Sequence, residues 1–307
     1  MIDDAAHKSV MLTGANGGYV GAVVKCFLEK EGYHVTTAGI HSMDDCHFDL
    51  EKPADFQDMA LSRPVSAFIH MAAANEVVCR SAPYRSLYAN VAGTRAALEF
   101  SIRNHVPYFV YVSTFHVFGR PRGRIDENTP PYPLNDYGLS HLQAEEYIRM
   151  YCENHDLKGL IFRPSNFFGM PPDLKGFSRW ALAPFEFAKT AVEQGMIELR
   201  TTGYQKRNFV PLAYFSGVLK EKLECPSGPK ETCEIRHIAG GESLTIRELA
   251  GLVKRISEEQ FAHSVTLSIP SGENRETEWE FCSIEGVPHE PSLEGFETEL
   301  IKELLSA

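Results

Sequence analysis

Short apolar or β-branched runs alternate with helix-length amphipathic segments through the first half of the chain. Residues 9–13 (Ser-Val-Met-Leu-Thr) read as a strand, 18–31 as a helix and 34–38 as a second strand. Residues 53–62 predict a short helix, 65–71 a buried strand, 80–105 a mostly helical stretch and 108–113 another strand. A helix over 136–155 and a strand over 160–163 complete the series. Strands that alternate with helices pair in parallel, because the chain must cross back over the sheet before each new strand. The expected class is α/β, a doubly wound parallel sheet with a smaller C-terminal α/β region.

After Arg163 the rhythm breaks. Residues 164–180 are rich in proline, glycine and aromatics, with a helix expected near 184–194 and a short strand near 197–200. A strand over 234–238, a helix over 246–257 and a strand over 265–269 follow. Thr245-Ile246-Arg247-Glu248 has the spacing of a capping box, in which two side chains satisfy each other's backbone N–H groups. No flexible linker separates the parts, so residues 1–163 and 164–307 are expected to interleave around a shared cleft.

Between the first strand and the first helix lies Thr13-Gly14-Ala15-Asn16-Gly17-Gly18-Tyr19-Val20-Gly21. Glycines there allow a tight turn and let the backbone approach a pyrophosphate seated on the positive end of the helix. Such a cluster can also be no more than a tight turn; its place after the first strand of an α/β chain favours a dinucleotide site. The segment resembles the T-G-x-x-G-x-x-G loop of the extended short-chain dehydrogenase/reductase family. That family holds nucleotide-sugar epimerases, dehydratases and ketoreductases built on a Rossmann-type fold. Here the spacing is one residue longer, Gly14-x-x-Gly17-Gly18-x-x-Gly21, which leaves open which glycine faces which phosphate. The resemblance implies a cofactor site at Gly14, Asn16, Gly17, Gly18, Tyr19 and Val20 within residues 1–163, and a mainly substrate-binding role for 164–307.

Rossmann-type sheets that prefer NAD place a carboxylate at the end of the second strand, on the adenosine ribose. That slot falls near Gly39-Ile40-His41 and holds no acid, which admits NADP. No arginine marks a 2′-phosphate site either, so NAD or NADP stays open. Asp49-Leu50 resembles the family's adenine-contacting position, with a helix cap ahead of Pro53 as the other reading of Asp49. His41, Asp44, Asp45, Cys46 and His47 cluster in one turn but match no standard zinc spacing, and no metal is expected.

Three further stretches extend the resemblance. Phe68-Ile69-His70-Met71-Ala72-Ala73 resembles the family's H-x-A-A strand end, which puts Ala72 and Ala73 beside the cofactor. Asn90-Val91-Ala92-Gly93-Thr94 resembles its N-V-x-G-T and puts Asn90 there too. The run from Val110 to Gly119 resembles the strand that carries the catalytic hydroxyl, read as Thr114 rather than Ser113 by its distance from the glycine. Tyr137-Gly138-Leu139-Ser140-His141, followed by Ala144-Glu145, resembles Y-G-x-S-K-x-x-x-E. In the family the tyrosine is the acid/base, and the lysine one turn on supplies a cation and holds the nicotinamide ribose. Residues i and i+4 share a helix face, so Tyr137 and His141 are expected as neighbours. A phenol ionises at about pH 10 and needs a nearby cation to act as a base near neutrality. A histidine is mostly neutral there, so its effect on Tyr137 is weaker. No other tyrosine has a lysine four residues on.

Phe115-His116 departs from the Asp-Glu pair of the 4,6-dehydratases. A phenyl ring moves no proton, so 4,6-dehydration is not expected. His116 reads as a substrate contact, a second proton carrier or a plain loop histidine. Arg163-Pro164-Ser165-Asn166-Phe167-Phe168-Gly169 resembles R-P-x-N-x-x-G-P, whose asparagine, here Asn166, contacts the sugar nucleotide. Arg207-Asn208-Phe209-Val210 resembles R-D-F-V, whose arginine, here Arg207, grips phosphate oxygens with its guanidinium fork.

Composition narrows the partners. The 307 residues include 41 Asp+Glu against 30 Lys+Arg, a net charge of −11. A nucleic-acid binder would show a basic face, and an anionic membrane would repel so acidic a chain, so neither partner is expected. Seven cysteines with no C-x-x-C argue against a disulfide framework and for a reducing cytosol. Met1-Ile2-Asp3-Asp4 lacks the basic start of a signal peptide, and no apolar run approaches the ~20 residues that span a bilayer, so a cytoplasmic protein is expected. The acidity is uneven. Residues 224–307 carry 17 acids and 7 bases, whereas 158–222, which include Arg163 and Arg207, carry 10 bases and 5 acids. A basic region suits an anionic nucleotide-sugar.

The expected activity is NAD(P)-dependent epimerisation or 4-keto reduction of a nucleotide-activated sugar, with Tyr137, Thr114 and His141 catalytic. A homodimer is implied by the resemblance alone. His141 keeps a second reading open: a catalytically silent Rossmann-type protein that binds NAD(P) and regulates or scaffolds a partner.

Overall fold

The structure is a computed structural model that describes residues 8–56, 59–226, 232–274, 277–288 and 290–306. The strands of its main sheet are β1 (Ser9–Thr13), β2 (His34–Gly39), β3 (Cys46–His47), β4 (Ala67–His70), β5 (Tyr108–Val112), β6 (Lys158–Pro164) and, after an excursion, Cys233–Ile238. The excursion contributes β7 (Asn166–Phe168) and β8 (Lys206–Pro211), so the returning strand is β9, and β10 (Glu242–Thr245) follows it. The longer helices are α1 (Tyr19–Lys30), α2 (Gly93–Arg103), α3 (Asp136–Asn154), α4 (Ala183–Gln194), α5 (Leu212–Glu224), α6 (Ile246–Phe261) and α7 (Leu293–Ser306).

The main sheet is parallel throughout, in the order β9-β6-β5-β4-β1-β2-β3. Strand order therefore reverses between β1 and β4, and in such sheets ligands bind beyond the strand ends at that switch point. Alternate residues explain why both faces are filled. Val10 and Leu12 of β1 join one apolar core with Val24 of α1, Phe162 and Phe215. Met11, between them, joins the other with Phe68, Phe100, Phe109 and Ile148. A smaller sheet, β10-β8-β7, stands beside the switch point and carries the excursion's polar residues to the same side.

One expectation is corrected here. Over 53–62 the described residues hold only a 3₁₀ turn, Pro53–Phe56. The stretch 80–105 is mostly helical as expected, through Glu76–Ser81, Pro83–Leu87, a π turn over Tyr88–Ala92 and α2, with one break at Ala82. Pro83 is the cause: the residue before a proline is driven out of helical dihedrals, and Ala82 sits at φ −142°, ψ 66°. Strands β7, β8 and β10 escape sequence patterning because they are only three to six residues long and half-buried. The capping box forms: Thr245 Oγ1 accepts from Glu248 N at 3.2 Å, and Thr245 N donates to Glu248 Oε2 at 2.7 Å. Helix α6 then runs four residues past its expected end, to Phe261. Among the described residues no helix is long and apolar enough to cross a membrane.

Candidate active site

A cleft of about 840 Å³ opens at the switch point, between the ends of β1, β2, β4 and β5 and the β7–β8 side. The glycine loop forms one wall. Gly14 has φ +80°, and a Cβ on it would lie 3.1 Å from Ala72 N, so the turn presses on the end of β4. Gly18 caps α1 with a Cβ position 2.8 Å from the Gly14 carbonyl oxygen, and Gly21 sits against the same carbonyl. Gly14, Gly18 and Gly21 thus hold the close strand–helix packing that the motif needs, and Gly17 is the added residue, its open side filled by the His41 imidazole. Met71 N and Ala72 N both donate to Thr13 Oγ1 at 3.1 Å, which presents Ala72 and Ala73 to the cleft. This backbone cradle at a helix N-terminus, which added side chains would fill, fits a dinucleotide pyrophosphate.

Asn16 and Val20 line the same wall. Tyr19 does so by its ring only: its hydroxyl donates to Gly169 O at 2.5 Å, and its ring meets Phe177 and Phe185 edge-on. Asp49 and Leu50 also border the cleft. Asp49 Oδ1 accepts from Glu51 N at 3.0 Å and pairs with Lys52 at 3.1 Å, which shapes the turn ahead of Pro53. Asn90 is corrected. It is buried and does not reach the cleft; its amide grips Ala74 N at 2.6 Å, Ala74 O at 3.2 Å and Ser140 Oγ at 3.0 Å. It fixes the chain leaving β4 to helix α3.

The ribose slot also differs from expectation. The turn after Gly39 folds Asp44 back beside it: Asp44 Oδ1 accepts from Asn16 Nδ2 at 2.8 Å, and Oδ2 accepts from His41 N at 3.0 Å. A carboxylate therefore stands at the end of β2 after all, delivered by a residue outside the strand. Asp45 accepts from Thr37 N and Thr37 Oγ1 at 2.8 and 2.9 Å. Among the described residues no group of three His, Cys, Asp or Glu side chains is placed to hold a metal ion.

Opposite the loop, helix α3 is capped by Asn135, whose Oδ1 accepts from Gly138 N at 2.8 Å. Gly138 lets its first turn press on the His116 carbonyl, and this brings Tyr137 to the end of β5. Thr114 borders the cleft beside Tyr137, and its Oγ1 accepts from His116 N at 3.1 Å. Burial raises the Tyr137 pKa, while Thr114 and the Arg179 charge pull it down; Cys79 and Glu76 add to the rise. His141 lies one turn on, its ring 4.6 Å from that of Tyr137 at 74°. Its Nδ1 is 2.7 Å from Tyr111 Oη, and its Nε2, at the cleft wall, is buried with no partner. Burial, with smaller effects from His116 and His70, lowers its pKa to about 3, so the imidazole is neutral. His116 lies 5.5 Å from the Tyr137 ring on the other side, and burial depresses its pKa, opposed by Glu76 and aided by Arg207.

Ser113 borders the cleft, but its side chain is engaged by a buried ion pair. Its hydroxyl donates to Glu145 Oε1 at 2.5 Å, and Arg163 Nη2 donates to Glu145 Oε2 at 2.6 Å, all three residues being buried. Arg163 is thereby corrected as part of an anion-holding region: its charge is neutralised behind β5. Asn166 and Arg207 do line the cleft. Asn166 Nδ2 donates to Asn208 O at 3.0 Å across β7 and β8, and one Arg207 Nη donates to Lys206 O at 2.8 Å. Arg179, Glu76 and Asp44 also border the cleft, and sequence reasoning assigned none of them. Only Asp44 had a signal, as a member of the unassigned acidic turn.

His70 and His237 share the condition of His141: burial lowers their pKa values to about 3 and about 4. In the unfolded chain each takes up a proton below its ordinary value of about 6.5, but the native protein does not. Stability should therefore fall as pH drops from about 6.5 toward 4, by up to ~1.4 kcal/mol per pH unit for each imidazole. Urea unfolding midpoints across that range check this; a flat profile would contradict neutral burial.

A sequence model of the "NAD dependent epimerase/dehydratase family" matches residues 10–211. A protein of Methanocaldococcus jannaschii named "Putative UDP-glucose 4-epimerase" is 30% identical over 211 residues, 67% of this chain and 64% of that protein's length. Among solved structures, MoeE5 in complex with UDP-glucose and NAD superposes with a TM-score of 0.75 at 18% identity, covering 97% of this chain and 99% of that one. RMD from Pseudomonas aeruginosa complexed with NADPH gives a TM-score of 0.76 at 20% identity, covering 98% and 100%. At such identities the two structures speak to the fold alone.

Proposed function

The chain belongs to the NAD-dependent epimerase/dehydratase family, and on that premise we propose that it epimerises, or reduces at a keto group, a nucleotide-activated sugar. The observation that carries this reading is that Tyr137, Thr114 and His141 border one cleft with the glycine loop, the His141 ring 4.6 Å from that of Tyr137. A dinucleotide held by the glycine loop and His141 would supply hydride exchange through its nicotinamide. Tyr137 takes the proton of the reacting sugar hydroxyl at its phenol oxygen, and returns it on reduction. Thr114 orients the reacting oxygen. His141 offers Nε2 to a ribose hydroxyl, Arg207 holds the diphosphate, and Asn166 and His116 meet the sugar nucleotide. In this reading residues 1–163 bind the cofactor, residues 164–307 mainly the substrate, and two copies pair through α2 and α3.

Phe115 favours epimerisation or reduction over 4,6-dehydration. Its ring packs on Trp279 and Phe281, with centroids at 5.0 and 4.7 Å, so that position is part of an apolar cluster and offers no proton carrier. The neutral His141 is the one feature that favours a silent binding protein. Incubation with UDP-, dTDP-, GDP- and CDP-sugars and both cofactors separates the readings. Conversion of at least one sugar is expected. Tight cofactor binding with no conversion of any sugar would replace this proposal with the silent one.

Asp44 bears on cofactor choice. A carboxylate at the end of β2 accepts a hydrogen bond from a ribose 2′-hydroxyl and repels a 2′-phosphate. NAD is therefore the expected cofactor, a choice that the bare strand end leaves open. Asp44→Asn should narrow the NAD-over-NADP affinity ratio by about tenfold, the equivalent of ~1.4 kcal/mol. Calorimetric titration of both dinucleotides reads this directly, and equal affinities in the unaltered protein would refute it.

A further inference from the structure

The neutral state of His141 leaves a charge unaccounted for. A lysine at that position would both hold the ribose and supply the cation that lets a phenol ionise. His141 can do the first through its unpartnered Nε2. It cannot do the second, because its Nδ1 is engaged by Tyr111, its ring is buried, and the titratable groups acting on it are other histidines, with no carboxylate to hold a proton on it.

A cation that borders the same cleft acts on Tyr137. Arg179 lies on the strap between β7 and α4, half-buried, and borders the same cleft as Tyr137, Thr114 and His141. The strap is pinned on both sides of it. Two residues earlier, Phe177 is buried with its ring 5.4 Å from Tyr19 and 4.4 Å from Phe185. One residue later, Trp180 stacks edge-on to Phe177 at 5.1 Å, under the Lys189 ammonium at 4.5 Å. Leu182 N donates to Arg179 O at 3.1 Å and closes the turn. Such aromatic packing fixes the backbone from which the guanidinium extends. Arg179 pairs with no carboxylate among the described residues, so its charge acts on the cleft undiminished. The groups facing Tyr137 are Thr114 and His116 after β5, Glu76 and Cys79 on the short helix after β4, His141 on its own helix, and Arg179. Within that set Arg179 is the permanent cation.

We propose that Arg179 is the positioning residue that stabilises the Tyr137 phenolate, so that two tasks of one lysine are divided here between His141, for the ribose, and Arg179, for the charge. This rests on the reading of Tyr137 as the acid/base. A permanent cation on the same cleft favours the ionised phenol, an effect that should move its ionisation midpoint by about one pH unit. Burial still works against ionisation, so Arg179 offsets a cost that burial imposes.

The test uses the full chain labelled with ¹³Cζ-tyrosine and followed by NMR over an alkaline titration without cofactor, the Tyr137 signal being identified by its loss in Tyr137→Phe. The midpoint should move up by about one pH unit in Arg179→Gln and return in Arg179→Lys. Circular dichroism and thermal melting of the same variants verify that they are folded. Where a sugar substrate is turned over, the basic limb of kcat/KM should shift in the same direction, with the lysine variant restoring it. A Tyr137 signal that follows the same course in both proteins would overturn the proposal, as would a rise in KM with the pH profile unchanged, which is the signature of a phosphate clamp. Because the NMR arm needs no turnover, absence of activity sinks the proposed function without deciding the role of Arg179.

Discussion

Replacing Tyr137 with phenylalanine is expected to lower turnover of the proposed substrate by about 10²–10⁴-fold, the usual worth of a positioned acid/base. The loss should fall on kcat rather than on KM, because a phenol that exchanges a proton in the transition state contributes little to ground-state binding. The fold should survive. Tyr137 is half-buried at the mouth of α3, and its ring contacts to His116 and His141 are kept by phenylalanine. Cofactor affinity should survive as well, since the glycine cradle and Asp44 are untouched. Steady-state kinetics with the best sugar nucleotide, together with dinucleotide binding by calorimetry, reads both arms. A variant that retains most of its turnover would remove Tyr137 from the chemistry and with it the proposed mechanism.

The largest effect on stability should come from Glu145→Ala. The carboxylate meets Arg163 Nε at 3.1 and 3.2 Å and Arg163 Nη2 at 2.6 Å, and it takes the Ser113 hydroxyl at 2.5 Å. The two charged side chains are only 3% and 4% exposed. Removal of one partner strands the other charge in the interior, which typically costs about 3–5 kcal/mol. The intact pair is not by itself a large stabilising term, since taking both charges out of water offsets most of their attraction. Replacing both, as Glu145→Leu with Arg163→Met, should therefore recover most of what the single change loses. Urea midpoints for the single and double variants check the sign of that recovery; a single variant within about 1 kcal/mol of the parent would mean that water reaches the pair. The network also joins the end of β5 to β6 and α3, so Thr114 and Tyr137 depend on it for their mutual placement. Reduced kcat in the double variant would report that dependence.

Much of the fold is legible along the chain because its determinants are local. The buried runs that became β1, β2, β4, β5 and β6 differ from their neighbours in composition, and each is followed by a stretch long enough to cross the sheet. Gly14, Gly18 and Gly21 belong to one turn, and Tyr137 and His141 to one helical turn, so their proximity follows from sequence spacing. Where spacing misleads, a local rule was outweighed. Pro83 broke a stretch that is otherwise helical, and His41 packs against the open side of Gly17, a contact that spacing does not foretell. Asn90 has the neighbours of a cofactor ligand in sequence, yet its amide is consumed by Ala74 and Ser140.

By itself, then, the sequence determined the α/β class, the position of the glycine loop and the pairing of Tyr137 with residue 141, all relations within one strand, turn or helix. Which charges face the cleft was decided only in three dimensions. The chain brings Asp44 back to the end of β2, buries Arg163 against Glu145, and sets Arg179 on the cleft that Tyr137 borders. The reason is physical: a charge acts through space over several ångströms, and its neutralisation or exposure depends on residues tens of positions away that packing alone brings together.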